Sequence, residues 1–208
     1  MSLKIPENIN KRITQVYSSF FFCNGAISEL YYLNLESLED EVDFINNHTF
    51  QWYKISLQYM FIVEYCKLLE SGGRNSKENF ASLFKLDDAV KQVVKDSHPF
   101  KKGNLENLIL GIKNSDFANE MRILRDKKYA HCENSKLFSP LKIKLFSKNE
   151  IDEAIISLKS IIEIFNEITF VFDKTYDSEI PSRDNRTENF IRFQAKYKRN
   201  YFDNMRKI

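Results

Sequence analysis

Apolar residues recur along most of this chain at intervals of three and four, the period of a helix that buries one face. Ile9, Ile13, Val16, Phe20, Ala26, Ile27 and Leu30 predict a first helix over residues 8–33. The triplet Phe20-Phe21-Phe22 widens its stripe almost all the way round. That predicts burial on more than one side, in the core rather than at an oligomer surface. After the acidic stretch from Glu36 to Asp43, read as a solvated loop or helix start, comes the densest run. Trp52, Ile55, Leu57, Tyr59, Met60, Ile62, Val63, Cys66 and Leu69 predict one central core helix over 43–70. Ser71-Gly72-Gly73 closes it with a C-cap signal.

The pattern then loosens. Phe80, Leu83, Phe84 and Leu86 predict a short helix, and Asp87 to Val94 another. His98-Pro99 interrupts, because the residue before a proline is pushed out of the helical region. Leu105, Leu108, Ile109 and Ile112 mark a helix over 104–113, and Asn114-Ser115-Asp116 offers caps for the next one. Phe117, Ala118, Met121 and Leu124 are the apolar face of that helix. Beyond a linker with Pro140, Leu141 to Leu145 alternates as a short extended piece would. Ser147 and Glu150 then form a capping box. It opens a second core helix to about Phe172, through Ile151, Ala154, Ile155, Leu158, Ile161, Ile162, Phe165 and Ile168.

The elements describe an all-α chain, an antiparallel helical bundle. Five glycines and four prolines in 208 residues leave too few turns for a many-stranded sandwich. An apolar content of 43% is ample for a core, and 29% charged residues with a net charge of +2 suit an ordinary soluble protein. No run of 18 apolar residues is present and the first ten residues hold no apolar leader, so the expected location is cytoplasmic, with no membrane partner. Cys23, Cys66 and Cys132 lie far apart without metal-ligand spacing, which predicts reduced thiols and no metal site. Cys132 beside His131 is not read as a nucleophile, since neighbours on a helix face different ways.

Candidate chemistry concentrates at Leu124-Arg125-Asp126-Lys127-Lys128-Tyr129-Ala130-His131, where a charged cluster closes an amphipathic run. Arginine supplies a permanent cation whose planar fork matches phosphate. Histidine gives or takes a proton near neutral pH. Together they are minimal equipment for attack on a phosphodiester without a metal. The same residues also suit a solvated helix face, with a histidine near the helix end favouring the dipole.

This segment resembles the signature of the HEPN superfamily (higher eukaryotes and prokaryotes nucleotide-binding): Arg, four to six residues, then His, often with Asn or Asp directly after the Arg. Arg125, Asp126 and His131 match, with five residues between Arg and His. The form is most similar to the AbiU-like branch associated with bacterial abortive infection. The resemblance covers about residues 10–175 and is sharp at 117–133. It implies a HEPN-like bundle over 1–175 and a metal-independent RNA endonuclease of defence or toxin-antitoxin type, without a cofactor. The RNA (a transfer RNA is one candidate) would be cut by 2′-hydroxyl attack, leaving a 2′,3′-cyclic phosphate. His131 would transfer protons, Arg125 would stabilise phosphoryl charge and Asp126 would orient one of them. Lys127, Lys128, Arg122 and Tyr129 are the neighbouring RNA-binding candidates.

Six steps of 100° put Arg125 and His131 about 120° apart on an ideal helix. Loosening near Ala130, or two copies facing each other, would bring them together. The resemblance implies the latter, a homodimer with its motifs at a shared cleft. An antitoxin or companion defence protein is a further implied partner. The tyrosine that some relatives carry two positions after the histidine is replaced by Glu133, so modification there is not expected. Many HEPN domains bind nucleotides or partners without cutting, and a non-catalytic module of that kind is the alternative, with an unrelated helical scaffold as a third reading.

Composition shifts near the end. Residues 182–208 hold eight cations against three acids, a net of +5 against −3 for the rest, and residues 176–208 are read as a basic, aromatic extension. Phe190, Phe193, Tyr197 and Tyr201 fall at helical spacing, which suits a helix docking its aromatics on the domain. Contact with RNA or with a membrane surface are the other uses of such a segment.

Overall fold

The computed structural model describes residues 4–35, 39–71, 81–94, 104–126, 144–182 and 186–205. Eight α-helices and one short 3₁₀ turn account for most of them: α1 (Glu7–Tyr32), α2 (Glu39–Ile45), α3 (His48–Leu68), α4 (Leu83–Val94), α5 (Asn104–Lys113), α6 (Asp116–Leu124), α7 (Lys148–Thr169), the 3₁₀ turn Phe170–Phe172, and α8 (Arg186–Met205). No strand occurs among the described residues. The all-α reading holds.

Helices α1, α3 and α7 form the frame. Along α1 and α3 the contacts run in opposite order: Ser19 donates to Glu64 at 2.7 Å, Cys23 faces the Phe61 carbonyl, and Tyr53 reaches Glu29 at 3.4 Å. The two are therefore antiparallel. Between α3 and α7 the order is shared, since Gln58 meets Phe146 and Tyr65 meets Ser157, so this pair is parallel. Ile13, Val16, Ile27, Phe61, Ile62, Leu158, Ile162 and Phe165 fill the space between them, each nearly inaccessible to solvent. Helices α4, α5 and α6 close the same core with Leu86, Val90, Ile109 and Met121.

Several elements differ from their sequence pattern. The run 43–70 is two helices, not one. The chain turns at Asn46 and Asn47, and the Asn47 side chain accepts the Phe50 N–H at 3.1 Å to start α3. An asparagine cap satisfies an amide that a continuing helix would have bonded itself. Conversely, the two short helices expected over 80–94 are one from Leu83 onward. Phe20 is core, but Phe21 and Phe22 are 62% and 49% exposed and pack edge-on to each other. Trp52 and Tyr59, expected in the core, share with Ser56 the solvent face of α3. The expected face of α5 narrows to Leu105 and Ile109, with Leu108 exposed. The capping box is present, with Ser147 Oγ receiving the Glu150 N–H and the Glu150 carboxylate receiving the Ser147 N–H.

Between the 3₁₀ turn and α8 the chain forms a strap without regular structure. Asp173 turns it with a left-handed φ of 53°. Side chains of the flanking helices then hold it down. Asn166 accepts the Tyr176 N–H and donates to the Tyr176 carbonyl, Asn24 donates to the Glu179 carbonyl, and Ser28 accepts the Ser182 N–H. Helix α8 docks on α2 and α1, and of its aromatic row Phe190 takes part, against Phe44 with ring centroids 6.3 Å apart. Ile191 and Ala195 are the buried pair, while Phe190, Phe193, Tyr197 and Tyr201 are all more than half exposed.

Candidate functional site

Helix α6 carries the start of the charged cluster. Ser115 caps it by accepting the Ala118 N–H at 3.2 Å. Phe117 sets its position, packing on Phe61 and Tyr65 with ring centroids 6.3 and 5.6 Å away. That places the polar side of α6 over the C-terminal end of α3. Arg122, two turns after the cap, donates from Nη2 to the Lys113 carbonyl at 2.8 Å and also to the Asn119 side chain. The Lys113 carbonyl is one of the groups a helix end leaves without an internal partner, so Arg122 ties α5 to α6. Its Nε is buried and has no hydrogen-bond partner among the described residues.

The α-helical part of this element runs to Leu124. Arg125 and Asp126 continue in a wider, π-type turn, a local loosening that is frequent at functional sites. The Arg125 Nε donates to Asp126 Oδ1 at 2.8 Å, with the two side chains 29% and 56% exposed. The Asp126 hydrogen bond raises the guanidinium pKa further, against the opposing effect of partial burial. Arg125 is thus a permanent cation, oriented along one edge.

A cleft of about 260 Å³ opens between the end of α3 and the α5–α6 corner. Tyr65, Cys66, Glu70, Lys113, Arg122 and Arg125 line it, with Ser71 accepting a hydrogen bond from Lys113. Three cations face one carboxylate, so the cleft favours an anion. Cys66 is pushed up to about 11, chiefly by burial, although Arg125 pulls the other way. At neutral pH it is a thiol and no nucleophile. A larger hollow of about 520 Å³ lies toward the other end of α3, where Glu29, Asp177 and Glu179 line it with Arg186. Its excess of carboxylates disfavours a phosphate.

The structure therefore brings Arg122 and Arg125 to one cleft, with Asp126 bonded to Arg125 beside it. Lys127, Lys128, Tyr129 and His131 lie outside the described residues, as does Cys132. Lys113, Ser71 and Cys66 were not among the sequence candidates. A signal existed for Lys113 alone: the two-residue link Asn114–Ser115 forces the end of α5 against the first turns of α6.

An all-helical bundle that sets an Arg-Asp pair beside a cationic cleft at the end of its penultimate described bundle helix has the architecture of a HEPN domain. The AbiU2 family model matches residues 12–185, and the chain belongs to this abortive-infection-related HEPN family, which is associated with RNA. No curated protein and no solved structure matches the chain.

Proposed function

We propose that the chain is a metal-independent RNA endonuclease of bacterial defence or toxin type. The observation that supports this reading best is the Arg125–Asp126 pair at the rim of a cationic cleft that no described residue of α8 lines. A motif tied down for purely structural reasons would be buried in ion bridges or covered by the C-terminal helix. Its described part, Arg125 and Asp126, keeps 29% and 56% of its side-chain surface exposed, and no described residue of α8 lines the cleft beside it.

In this reading a phosphodiester seats against Arg125, with Arg122 and Lys113 adding positive charge behind it. Asp126 occupies Nε, and the two terminal nitrogens of Arg125, which hydrogen bond to nothing among the described residues, meet the non-bridging oxygens as a fork. His131 takes the proton of the RNA 2′-hydroxyl as its oxygen attacks the adjacent phosphorus. Charge accumulates on the phosphoryl oxygens and Arg125 stabilises it. The P–O5′ bond breaks, the leaving oxygen receives a proton, and a 2′,3′-cyclic phosphate and a 5′-hydroxyl remain. Lys127, Lys128 and Tyr129 extend the RNA contact. A homodimer with facing motifs provides one histidine as base and the other as acid.

The test is cleavage of total and transfer RNA by purified protein in EDTA, beside Arg125→Ala and His131→Ala. Cyclic-phosphate ends that vanish in both variants support the nuclease. A second reading, a non-catalytic module holding a nucleotide or partner protein, draws on how far Arg122 is already committed to α5. Wild-type protein that binds RNA or nucleotide but never cuts would establish that reading instead.

A further inference from the structure

Helix α8 sorts its apolar residues by kind. The aliphatic pair Ile191 and Ala195 faces the bundle, whereas Phe193, Tyr197 and Tyr201 stand 66%, 65% and 53% exposed. Met205 continues the same four-residue interval, also exposed. Each such step advances ~6 Å along a helix and turns only ~40° around it. The four side chains therefore form one ridge. Lys196 and Lys198, both exposed, emerge roughly 100° to either side of Tyr197.

An exposed group of aromatics on this scale marks an interaction surface, and charge selects its occupant. Among residues 186–205 five Lys and Arg stand against two Asp and Glu, so a second copy would bring like charge against like. A membrane surface also accepts rings beside cations, but the chain's membership of a family associated with RNA favours a nucleic acid. Rings flanked by cations are a platform for single strands: bases stack on the rings and phosphates meet the lysines.

We propose that the α8 ridge binds single-stranded RNA, with bases on Phe193, Tyr197 and Tyr201 and phosphates at Lys196 and Lys198. This rests on the reading of the chain as one that acts on RNA. The family match ends at residue 185, immediately before α8, so the ridge is an addition to the shared domain. Thr187 of α8 bonds Tyr53, and Tyr53 lies roughly 20 Å along α3 from Cys66 in the cleft. Helix α8 therefore starts about 20 Å along α3 from the cutting site.

The experiment measures binding of a 2′-O-methyl single strand of about 16 nucleotides, which cannot be cut by 2′-hydroxyl attack, to the full-length wild type. Phe193→Ser/Tyr197→Ser/Tyr201→Ser is expected to raise Kd at least about tenfold with an unchanged melting temperature. Lys196→Gln/Lys198→Gln should reduce the slope of log Kd against log salt by about 1.4. Unchanged affinity in the triple serine variant overturns the proposal. So does loss of binding to phosphatidylserine vesicles, or of a dimer in sedimentation, while RNA affinity stays the same. Cleavage of a dinucleotide, too short to span to α8, reads the cleft by itself. Its failure with ridge binding intact would overturn the nuclease reading and leave this one standing.

Discussion

Gln58 and Phe146 are joined inside the core: Gln58 Oε1 accepts the Phe146 N–H at 2.9 Å, while its Nε2 donates to the Lys144 carbonyl at 3.1 Å. One buried amide of α3 thus mimics the edge of a strand and fixes the chain as it enters α7. Replacing it by leucine keeps the volume but leaves a buried N–H and a partly buried carbonyl unpaired. Gln58→Leu should lose about 1–3 kcal/mol, measured by urea unfolding. A loss below about 0.5 kcal/mol would mean that the clamp does not persist in solution.

Arg125→Ala removes the only fork aimed at phosphoryl charge in the proposed mechanism, and a fall in kcat of about 10²–10³ is expected. Arg125→Lys should recover little, since a point charge does not reproduce the bidentate geometry. Asp126→Asn keeps the arginine but weakens its orientation. A milder loss of about tenfold, corresponding to ~1.4 kcal/mol, is expected from single-turnover cleavage. Equal losses in both would place Asp126 in direct chemistry.

Burial raises the Cys66 thiol to about 11, and raises Cys23 too. The unfolded chain releases these protons near pH 8.5, so between there and about 11 the unfolded state binds fewer protons than the folded one. Stability is fully present below the unfolded pKa and falls as pH rises through this window. Thermal melts from pH 7 to 11 should show this alkaline decline, and Cys66→Ala should flatten it. Iodoacetamide labelling of Cys66 at pH 7 should be slow until denaturant is added.

Ser147→Ala removes the Oγ half of the α7 capping box, while the backbone N–H at 147 can still donate to Glu150, and should lower stability by about 1 kcal/mol. Ser147→Asp, which keeps an acceptor at the cap, should restore most of it. Melting temperatures of the two variants decide the matter.

Helix boundaries were legible where a cap stands beside a clear stripe, as at Ser115 and Ser147. They were not where apolar residues crowd the helix, because α3 carries hydrophobics all round and periodicity then selects no face. That is why Trp52 and Tyr59 read as core although Leu57, Phe61, Ile62 and Tyr65 fill it. In α8 the ring spacing was regular enough to suggest a docking face, yet Ile191 and Ala195 are what it buries, and Phe190 joins them against Phe44. Arg125 and Asp126 could be found because their chemistry is local in sequence. Cys66, Ser71 and Lys113 reach the same cleft from other helices, and only the packing of Phe117 on Phe61 and Tyr65 brings those helices together.

The strap over residues 173–182 has no regular secondary structure, yet its Tyr176 and Ser182 amides are donated to Asn166 and Ser28 at 2.8 Å each. Hydrogen exchange at such amides is governed by the opening of the helices that hold them, not by the looseness of a loop. In a deuterium-exchange experiment these two positions should therefore protect like the interiors of α1 and α7. A single substitution, Asn166→Ala, should release Tyr176 to exchange while leaving Ser182 protected.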